Sequence, residues 1–307
     1  MTSDVPAGGR AVTLAAGVGH GGLMSEEETT RRTEAGAVGA GWSLAALRGA
    51  GGELARLLVP LECGGCGQPD VQLCARCAAH LAGVRRAEAG APRLDRLGDG
   101  APWPVLAAAD YTGPVRELVV AWKDRGRADL TAVLAPAVRR LADSLVEQVL
   151  GELPAGQEVW IVPVPSTPAA ARRRGREPVT ELARIAAETA AGGLRVVRAL
   201  AHVHRLSMVR DQVGLGIRAR SGNLAGTLDV RRRRRASLAG LATGGPPTAC
   251  VLVDDVLTTG ATLAECARAI ARRGGVVVAG LVLAATPAPG ARGLFPGASV
   301  QAHPQAR

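Results

Sequence analysis

The sequence VLVDDVLTTGAT, residues 251–262, joins an unbroken apolar run to two carboxylates, a threonine-rich turn and the start of a helical pattern. A continuous apolar strand indicates a parallel sheet that is covered on both faces. Ligands of such sheets bind in the crevice at the carboxyl ends of the strands. The segment therefore predicts an α/β domain with a ligand site directly after this strand.

The turn after the strand has the composition of a phosphate cradle. Residues 258–262 can direct successive backbone N–H groups and three hydroxyls at one phosphate, at the positive end of the following helix. Gly260 permits the close approach that such a cradle requires. Asp254 and Asp255 accept hydrogen bonds and suit the vicinal hydroxyls of a sugar. These residues indicate a site for ribose 5-phosphate. A Mg²⁺-binding aspartate pair is the alternative, but no GxxxxGK[ST] loop accompanies it.

The chain beyond Trp103 supports the α/β prediction. Apolar runs predict strands at 159–165, 194–200, 249–253 and 276–284. Apolar residues at helical spacing lie between them, including a helix that starts at Pro178 and one over 263–270. We predict that residues 103–286 form one domain of alternating strands and helices.

Several segments resemble one protein family. VLVDDVLTTGAT resembles the loop for 5-phosphoribosyl diphosphate (PRPP) of the type I phosphoribosyltransferases. VPVPSTPAAARRRGR (162–176) resembles the strand and diphosphate loop of the ComF family, and HRLSMVRDQVGLGIRARSGNLAG (204–226) resembles a further segment of it. WKDRGR, which contains Lys123, is similar to the family's Leu-Lys-Tyr-x-Gly segment. The resemblance spans about residues 42–285 and implies a type I phosphoribosyltransferase-like parallel sheet preceded by a small four-cysteine zinc module.

The resemblance implies three groups of site residues. Those implied to bind PRPP are Asp254, Asp255, Leu257, Thr258, Thr259, Gly260, Ala261 and Thr262. Those implied for the diphosphate loop are Ser166, Thr167, Arg174 and Arg176. Further contacts to the ligand or to nucleic acid are implied for Lys123, Gln212, Arg220 and Asn223. Ser166 and Thr167 are alternatively ordinary turn residues. Where relatives continue Arg-Gly with Phe, Asn and Gln, this chain has Arg176, Glu177 and Pro178.

Two functions follow from the resemblance. One is an enzyme that transfers the ribosyl group of PRPP to an acceptor and releases diphosphate, with Mg²⁺ carried mainly by the oxygens of the ligand. The other is a catalytically silent relative that uses PRPP for sensing or structure during DNA uptake in natural competence. Its partners would be single-stranded DNA and proteins of the competence machinery. The sequence does not specify the acceptor.

A second motif precedes the α/β domain. A C-x2-C-x7-C-x2-C pattern is formed by Cys63, Cys66, Cys74 and Cys77. Two such pairs can supply four thiolates to a tetrahedral Zn²⁺ ion, and we predict one structural zinc. A redox role, or cysteines that are incidental, are the alternatives, although a redox CxxC is usually a single pair. Cys250 and Cys266 fall on apolar strand and helix positions, which predicts buried structural thiols.

The basic side chains are distributed unevenly. The chain has 37 basic and 27 acidic residues, for a formal charge of +10, and residues 205–235 hold nine arginines against two aspartates. Such a surface favours polyanions or phosphorylated small molecules as partners. The run 231–235 is equally consistent with phosphate contacts and with a solvated loop. Aromatic residues make up 2% of the chain, so DNA binding would be mainly electrostatic.

A single lysine, Lys123, stands among these basic residues, and all the others are arginines. Arginine and lysine are not interchangeable, because the guanidinium is planar and the ammonium is compact. Retention of one lysine in a motif-like segment therefore indicates a position that arginine does not fit.

The remaining segments predict organisation and location. We predict a disordered leader at 1–40, a helix with the cysteine module at 42–82, a linker at 83–102 and a disordered tail at 287–307. No stretch is apolar enough to span a membrane, and the N-terminus lacks a signal-peptide pattern. We expect a cytoplasmic protein whose cysteines are thiols or metal ligands rather than disulfides.

Overall fold

The computed structural model describes residues 61–94, 103–190, 194–202, 226–240 and 244–288. Several sequence predictions lie outside these residues. They are the leader, the helix expected within 42–58, the tail from 289, and the contacts Gln212, Arg220 and Asn223.

Six strands form the central sheet, in the order β1, β2, β8, β7, β3, β4. The strands of the described chain are β1 (Arg85–Arg86), β2 (Val105–Asp110), β3 (Val159–Pro163), β4 (Arg195–Val196), β5 (Leu200–His202), β6 (Leu228–Val230), β7 (Ala249–Leu257) and β8 (Val276–Ala285). Every neighbouring pair in the sheet is parallel except β1 with β2. The coarse prediction of an α/β fold with a mostly parallel sheet is confirmed.

Three of the four strands predicted from apolar runs are present as β3, β7 and β8. β7 continues to Leu257, so both aspartates belong to the strand itself. The predicted strand over 194–200 is only partly formed, because β4 ends at Val196 and the chain then enters β5. β5 pairs with β6 in a separate two-stranded antiparallel sheet. β2 was not among the predicted strands, because its sequence VLAAAD is rich in alanine, which has low strand propensity.

Helices cover both faces of the sheet. The helices of the described chain are α1 (Ala75–Ala79), α2 (Gly113–Asp124), α3 (Leu130–Gln148), α4 (Pro168–Arg174), α5 (Pro178–Thr189), α6 (Arg235–Leu238) and α7 (Ala261–Ala271). One apolar cluster joins α2, α3 and α5 to Val251 and Val253 of β7. A second joins α7 to Cys250 and Leu252 of the same strand. Since successive strand residues face opposite sides, β7 is buried on both faces, as its unbroken apolar sequence requires.

The cysteine segment packs directly against the α/β domain, and both lie in one compact unit, Glu53–Arg307. A Cβ on Gly64 would lie 2.7 Å from Leu130 Cδ1 and 2.9 Å from Leu118 Cδ1, so the backbone of this segment touches α2 and α3. Arg127 Nη1 donates to Glu62 O at 2.9 Å. The four-cysteine segment is therefore attached to the domain by packing as well as by the chain.

Residues 83–94 differ from the linker that the sequence predicts. Arg85–Arg86 forms the antiparallel edge strand β1, whose residues pair with Leu106 and Ala107 of β2. Ala91 and Leu94 are fully buried in the second apolar cluster. The Gly, Pro and charge content of this segment suggested a loop, but its few apolar side chains are enough to anchor it on the sheet.

None of the helices in the described ranges is both long and apolar enough to cross a membrane.

Candidate functional site

The loop at residues 258–262 follows β7 and leads directly into α7. Gly260 caps that helix in the left-handed backbone region, with a φ of 78°. A Cβ at this position would lie 2.7 Å from Leu94 Cγ and 3.0 Å from Ala91 Cβ, so the backbone and the available space both require glycine. Because the loop opens an eleven-residue helix, its N–H groups and the helix dipole favour an anion.

A cavity of about 440 Å³ opens beside this loop. It is lined by the five loop residues and by Arg93, Asp254, Val256, Leu257 and Leu263. The backbone N–H of Arg93 donates to Thr259 O at 3.1 Å, which fixes the loop against residues 91–94. Arg93 is a candidate functional residue that sequence reasoning missed. Ala91 and Leu94, the apolar residues on either side of Arg93, are the sequence feature that could have indicated that this segment packs against the domain.

Asp254 lines the cavity and is almost fully buried. Its Oδ1 accepts a hydrogen bond from the Asp255 N–H at 2.9 Å. Burial, followed by repulsion from Asp255, raises the pKa of Asp254 well above its usual range. Hydrogen bonds from the hydroxyl groups of a ligand would offset the cost of burying this carboxyl group, so Asp254 is suited to ligand binding.

Asp255 meets a different neighbour, since adjacent strand residues point to opposite faces of the sheet. Its carboxylate, 4% exposed, forms an ion pair with Lys123 Nζ at the end of α2. Burial opposes the charge of Lys123, but attraction to Asp255, its hydrogen bond and the charge of Asp254 together outweigh burial and raise the pKa of Lys123 above its ordinary value. The one lysine of the chain thus neutralises a buried carboxylate beside the candidate site.

Two residues of the predicted diphosphate loop lie near this ion pair. Arg174 Nη2 donates to Asp124 Oδ1 at 2.7 Å, and Arg174 Nη1 donates to Ser166 Oγ at 3.4 Å. The charge of Arg174 also acts on Lys123, since it opposes the rise in the lysine pKa. Thr167 caps α4, where its Oγ1 accepts a backbone hydrogen bond at 3.3 Å. The structure therefore places two cations and a serine hydroxyl at neighbouring strand ends.

Arg176 takes part in a different network. Its Nη2 donates to Thr131 Oγ1 at 2.8 Å, it forms an ion pair with Glu181, and it lies 5.6 Å from the centroid of the Trp122 ring. Trp122 Nε1 donates to the same threonine at 2.9 Å. Within the described chain, all hydrogen bonds of the Arg176 guanidinium belong to this network. The network holds α2, and with it Lys123, against α3 and α5, while diphosphate contact by Arg176 stays a prediction.

The four cysteines form a separate cluster in which the sulfurs lie within 4.8 Å of one another, close enough to hold a metal ion. None of the six cysteines, all of which lie within the described residues, forms a disulfide. Burial opposes ionisation of Cys63, but N–H donors led by Cys74 outweigh it and lower the pKa of Cys63 to about 6. Burial and the neighbouring sulfurs raise the pKa of Cys77. A metal cation would compensate the charge that the four thiolates place together.

The other two cysteines behave as the sequence predicts. Cys250 and Cys266 are fully buried in the apolar cluster beneath α7. Burial, with a smaller effect of Glu158, raises the pKa of Cys250 to about 12. These thiols are structural.

The chain was also compared with known proteins. No family model matches it, and no curated protein matches it.

Proposed function

We propose that this chain is a PRPP-binding, phosphoribosyltransferase-like protein of the ComF family that transfers the ribosyl group with release of diphosphate. The proposal is supported mainly by one arrangement. A helix-capping loop built for an anion adjoins a buried acid, Asp254, on one side of β7. Lys123 pairs with Asp255 of the same strand, and Arg174 donates to Ser166 just after the neighbouring strand β3. A ligand with phosphates at both ends and a diol between them matches this order of charges.

Each group has a role in the proposed complex. Residues 258–262 hold the 5-phosphate, and Asp254 accepts hydrogen bonds from the ribose hydroxyls. Ser166, Lys123 and Arg174 lie where the diphosphate would be placed. As the bond from C1 of ribose to the diphosphate oxygen breaks, its electron pair leaves with the diphosphate, and a lone pair of the acceptor forms the new bond to C1. The two cations stabilise the charge that the diphosphate gains. Mg²⁺ bound to the ligand oxygens would supply further neutralisation.

The experiment is calorimetric titration of the protein with PRPP and Mg²⁺. We expect saturable binding by the natural sequence and its loss in the double variant Asp254→Asn with Asp255→Asn. Asp143→Asn is the matched control, because this aspartate is exposed on α3. Unchanged affinity in the double variant would refute the site assignment.

The zinc assignment is part of the same proposal. We propose that Cys63, Cys66, Cys74 and Cys77 hold one structural Zn²⁺, because four thiols at this spacing form the donor set that structural zinc prefers. Protein purified under reducing conditions should contain close to one zinc per chain by elemental analysis. A content near zero would contradict the assignment.

A second candidate function is the non-catalytic DNA-uptake factor, which uses PRPP without turnover and binds single-stranded DNA. The observation that favours it is the exposure of Arg232 and Arg233, which have no ion-pair partner among the described residues. Two exposed guanidinium groups on one short turn suit a phosphate backbone.

Turnover and salt dependence separate the two candidates. The enzyme predicts diphosphate release from PRPP that depends on an acceptor, measured over a panel of nucleobases and amines. The DNA factor predicts no release and an affinity for single-stranded DNA that falls steeply with salt. The double variant Arg232→Gln with Arg233→Gln should then flatten the salt slope. Arg139→Gln, an exposed change on α3, should leave it unchanged.

A further inference from the structure

A second cavity, of about 210 Å³, is lined in part by Ser166. Its lining combines apolar side chains, among them Val164, Val179 and Leu200, with a small number of polar ones. All three of these apolar residues are buried. The cavity is smaller than the ~300–1,000 Å³ typical of sites for drug-sized ligands, so a single ring with one substituent is the size that fits.

The cavity lies between two parts of the fold that are fastened to each other. One wall is the segment after β3 with parts of α4 and the start of α5, and the other is formed by the chain around β5 and the end of β6. His202 Nε2 lies 3.2 Å from Pro165 O, and because a carbonyl can only accept, the imidazole donates. Arg198 forms an ion pair with Glu177 across the same gap. These two links connect the walls of the cavity to each other.

Among the described side chains that line the cavity, one arginine has no carboxylate partner. Arg198 and Glu177 neutralise each other. Arg231 also lines the cavity, yet it has no ion-pair partner in the part of the chain that the structure describes, and its Nε is buried without a hydrogen bond. A buried guanidinium nitrogen without an acceptor is costly, and a carboxylate is the partner that the planar fork of arginine fits best.

We propose that this cavity binds a small aromatic or heteroaromatic anion, with its ring against Val164, Val179 and Leu200 and its carboxylate on Arg231. The identification of this anion as the acceptor rests on the proposed function. Ser166 lines the cavity and also accepts from Arg174, so a ring in the cavity adjoins the place proposed for the leaving diphosphate. The acceptor class is therefore a planar ring that carries one negative group.

The test uses benzoate and benzamide, which have the same ring and nearly the same shape but differ in charge. Binding to the full chain is measured by ligand-observed NMR titration. We expect benzoate to bind at least tenfold more tightly than benzamide. Arg231→Gln should weaken benzoate at least tenfold and leave benzamide unchanged, and Arg231→Lys should restore part of the loss.

Two further variants guard against trivial outcomes. Arg184→Gln removes an exposed arginine of α5 that does not line the cavity, and it should leave benzoate binding unchanged. Ala171→Phe places a ring in the cavity from the partly exposed α4 and should abolish the binding of both probes. This second variant tests the site even if Arg231→Gln does not fold.

The outcomes separate this inference from the proposed function. Absence of benzoate binding, equal affinity for both probes, or equal effects of Arg231→Gln and Arg184→Gln would overturn the cavity proposal. Calorimetric binding of PRPP to the same preparation would leave the proposed function standing in that case. If benzoate binds through Arg231 but PRPP does not bind, the anion site stands and the phosphoribosyl function falls.

Discussion

Residues 63–77 bring four sulfurs within 4.8 Å of one another by a local turn and one short helix. The site at the end of β7 is assembled differently, because Lys123 comes from α2, Arg174 from α4 and Asp255 from the strand itself. The first region is defined by neighbours in sequence, and the second depends on the correct packing of three elements. A metal ion can hold the cysteine segment together, whereas the site at the end of β7 depends on the packing of the apolar core beneath it.

The two regions should therefore respond differently when a side chain is removed. Loss of one sulfur should disrupt the cysteine segment and leave the sheet intact, because ligation supplies much of the stability of a short segment. Loss of a group at the strand end should alter binding or global stability in proportion to its burial.

The largest effect is expected for Cys77→Ser, which removes a buried member of the sulfur cluster. We expect the metal to be lost and the free energy of local opening of residues 61–82 to fall by about 5 kcal/mol or more. Elemental analysis and hydrogen exchange measure the two effects. Cys250→Ala, in the core of β7, should retain the metal. Loss of protection throughout the sheet in Cys77→Ser would show that the two regions are not independent.

Gly260→Ala should produce the next largest effect. The added Cβ would sit in a left-handed conformation and 2.7 Å from Leu94 Cγ, so we expect a loss of about 2–4 kcal/mol in the free energy of unfolding, together with loss of PRPP binding. Gly156→Ala is the matched control, because Gly156 has the same φ of 78° and no atom within 4 Å of the added carbon. The control should lose only about 1 kcal/mol in denaturant unfolding. Equal losses would show that space around the loop does not matter.

Lys123→Met leaves the carboxylate of Asp255 buried without its cation. We expect a loss of about 2 kcal/mol, below the ~3–5 kcal/mol typical of fully buried pairs because the lysine is partly exposed. Arg125→Met removes the exposed ion pair with Glu117 and should lower the free energy of unfolding by less than about 1 kcal/mol.

Lys123→Arg should keep most of the stability but weaken PRPP binding at least tenfold, since the larger guanidinium does not fit the same space. Unaltered PRPP affinity in Lys123→Arg would leave composition bias as the explanation of the lone lysine.

The smallest effect concerns stability as a function of pH. Burial raises the pKa of Asp254 in the folded state, so its ionisation destabilises the fold increasingly as pH rises above the unfolded value. Asp254→Asn should therefore stabilise the protein at pH 7, with a gain that disappears near pH 3, even though it impairs binding.

Asp229 provides the control of opposite sign. Hydrogen bonds from Arg273, assisted by Arg235, lower the pKa of Asp229 in the folded state. Its contribution to stability is present above the unfolded pKa and is lost as pH falls through the folded pKa. Asp229→Asn should thus destabilise the protein at pH 7 and have no effect at low pH. Parallel pH curves for the two variants, from thermal unfolding, would contradict the contrast between a functional acid and a structural one.

The strands that could be predicted from the sequence are those with continuous apolar runs. β3, β7 and β8 were identified because Val, Ile and Leu dominate them, whereas the alanines of β2 carry no strand signal and are strand only because neighbours bury them. Burial likewise determines the place of residues 83–94. Their glycine and proline content predicts a loop, yet Ala91 and Leu94 anchor them beside Gly260.

The candidate site was predictable to a similar degree. The loop at 258–262 and the four cysteines were evident from local spacing. The pairing of Lys123 with Asp255, the attachment of Arg176 to Trp122 and the position of Arg93 were not, because each joins residues that are distant in sequence.

Local sequence is sufficient for the chemistry that neighbouring residues share, namely a group of closely spaced cysteines and a strand that ends in two acids and a glycine turn. Ligand spacing, strand burial and turn conformation are short-range properties, so a local pattern is sufficient to specify them. Tertiary packing determines which charges face each other. Asp254 lines the cavity and Asp255 pairs with Lys123, because adjacent residues of one strand point to opposite faces, where different helices pack.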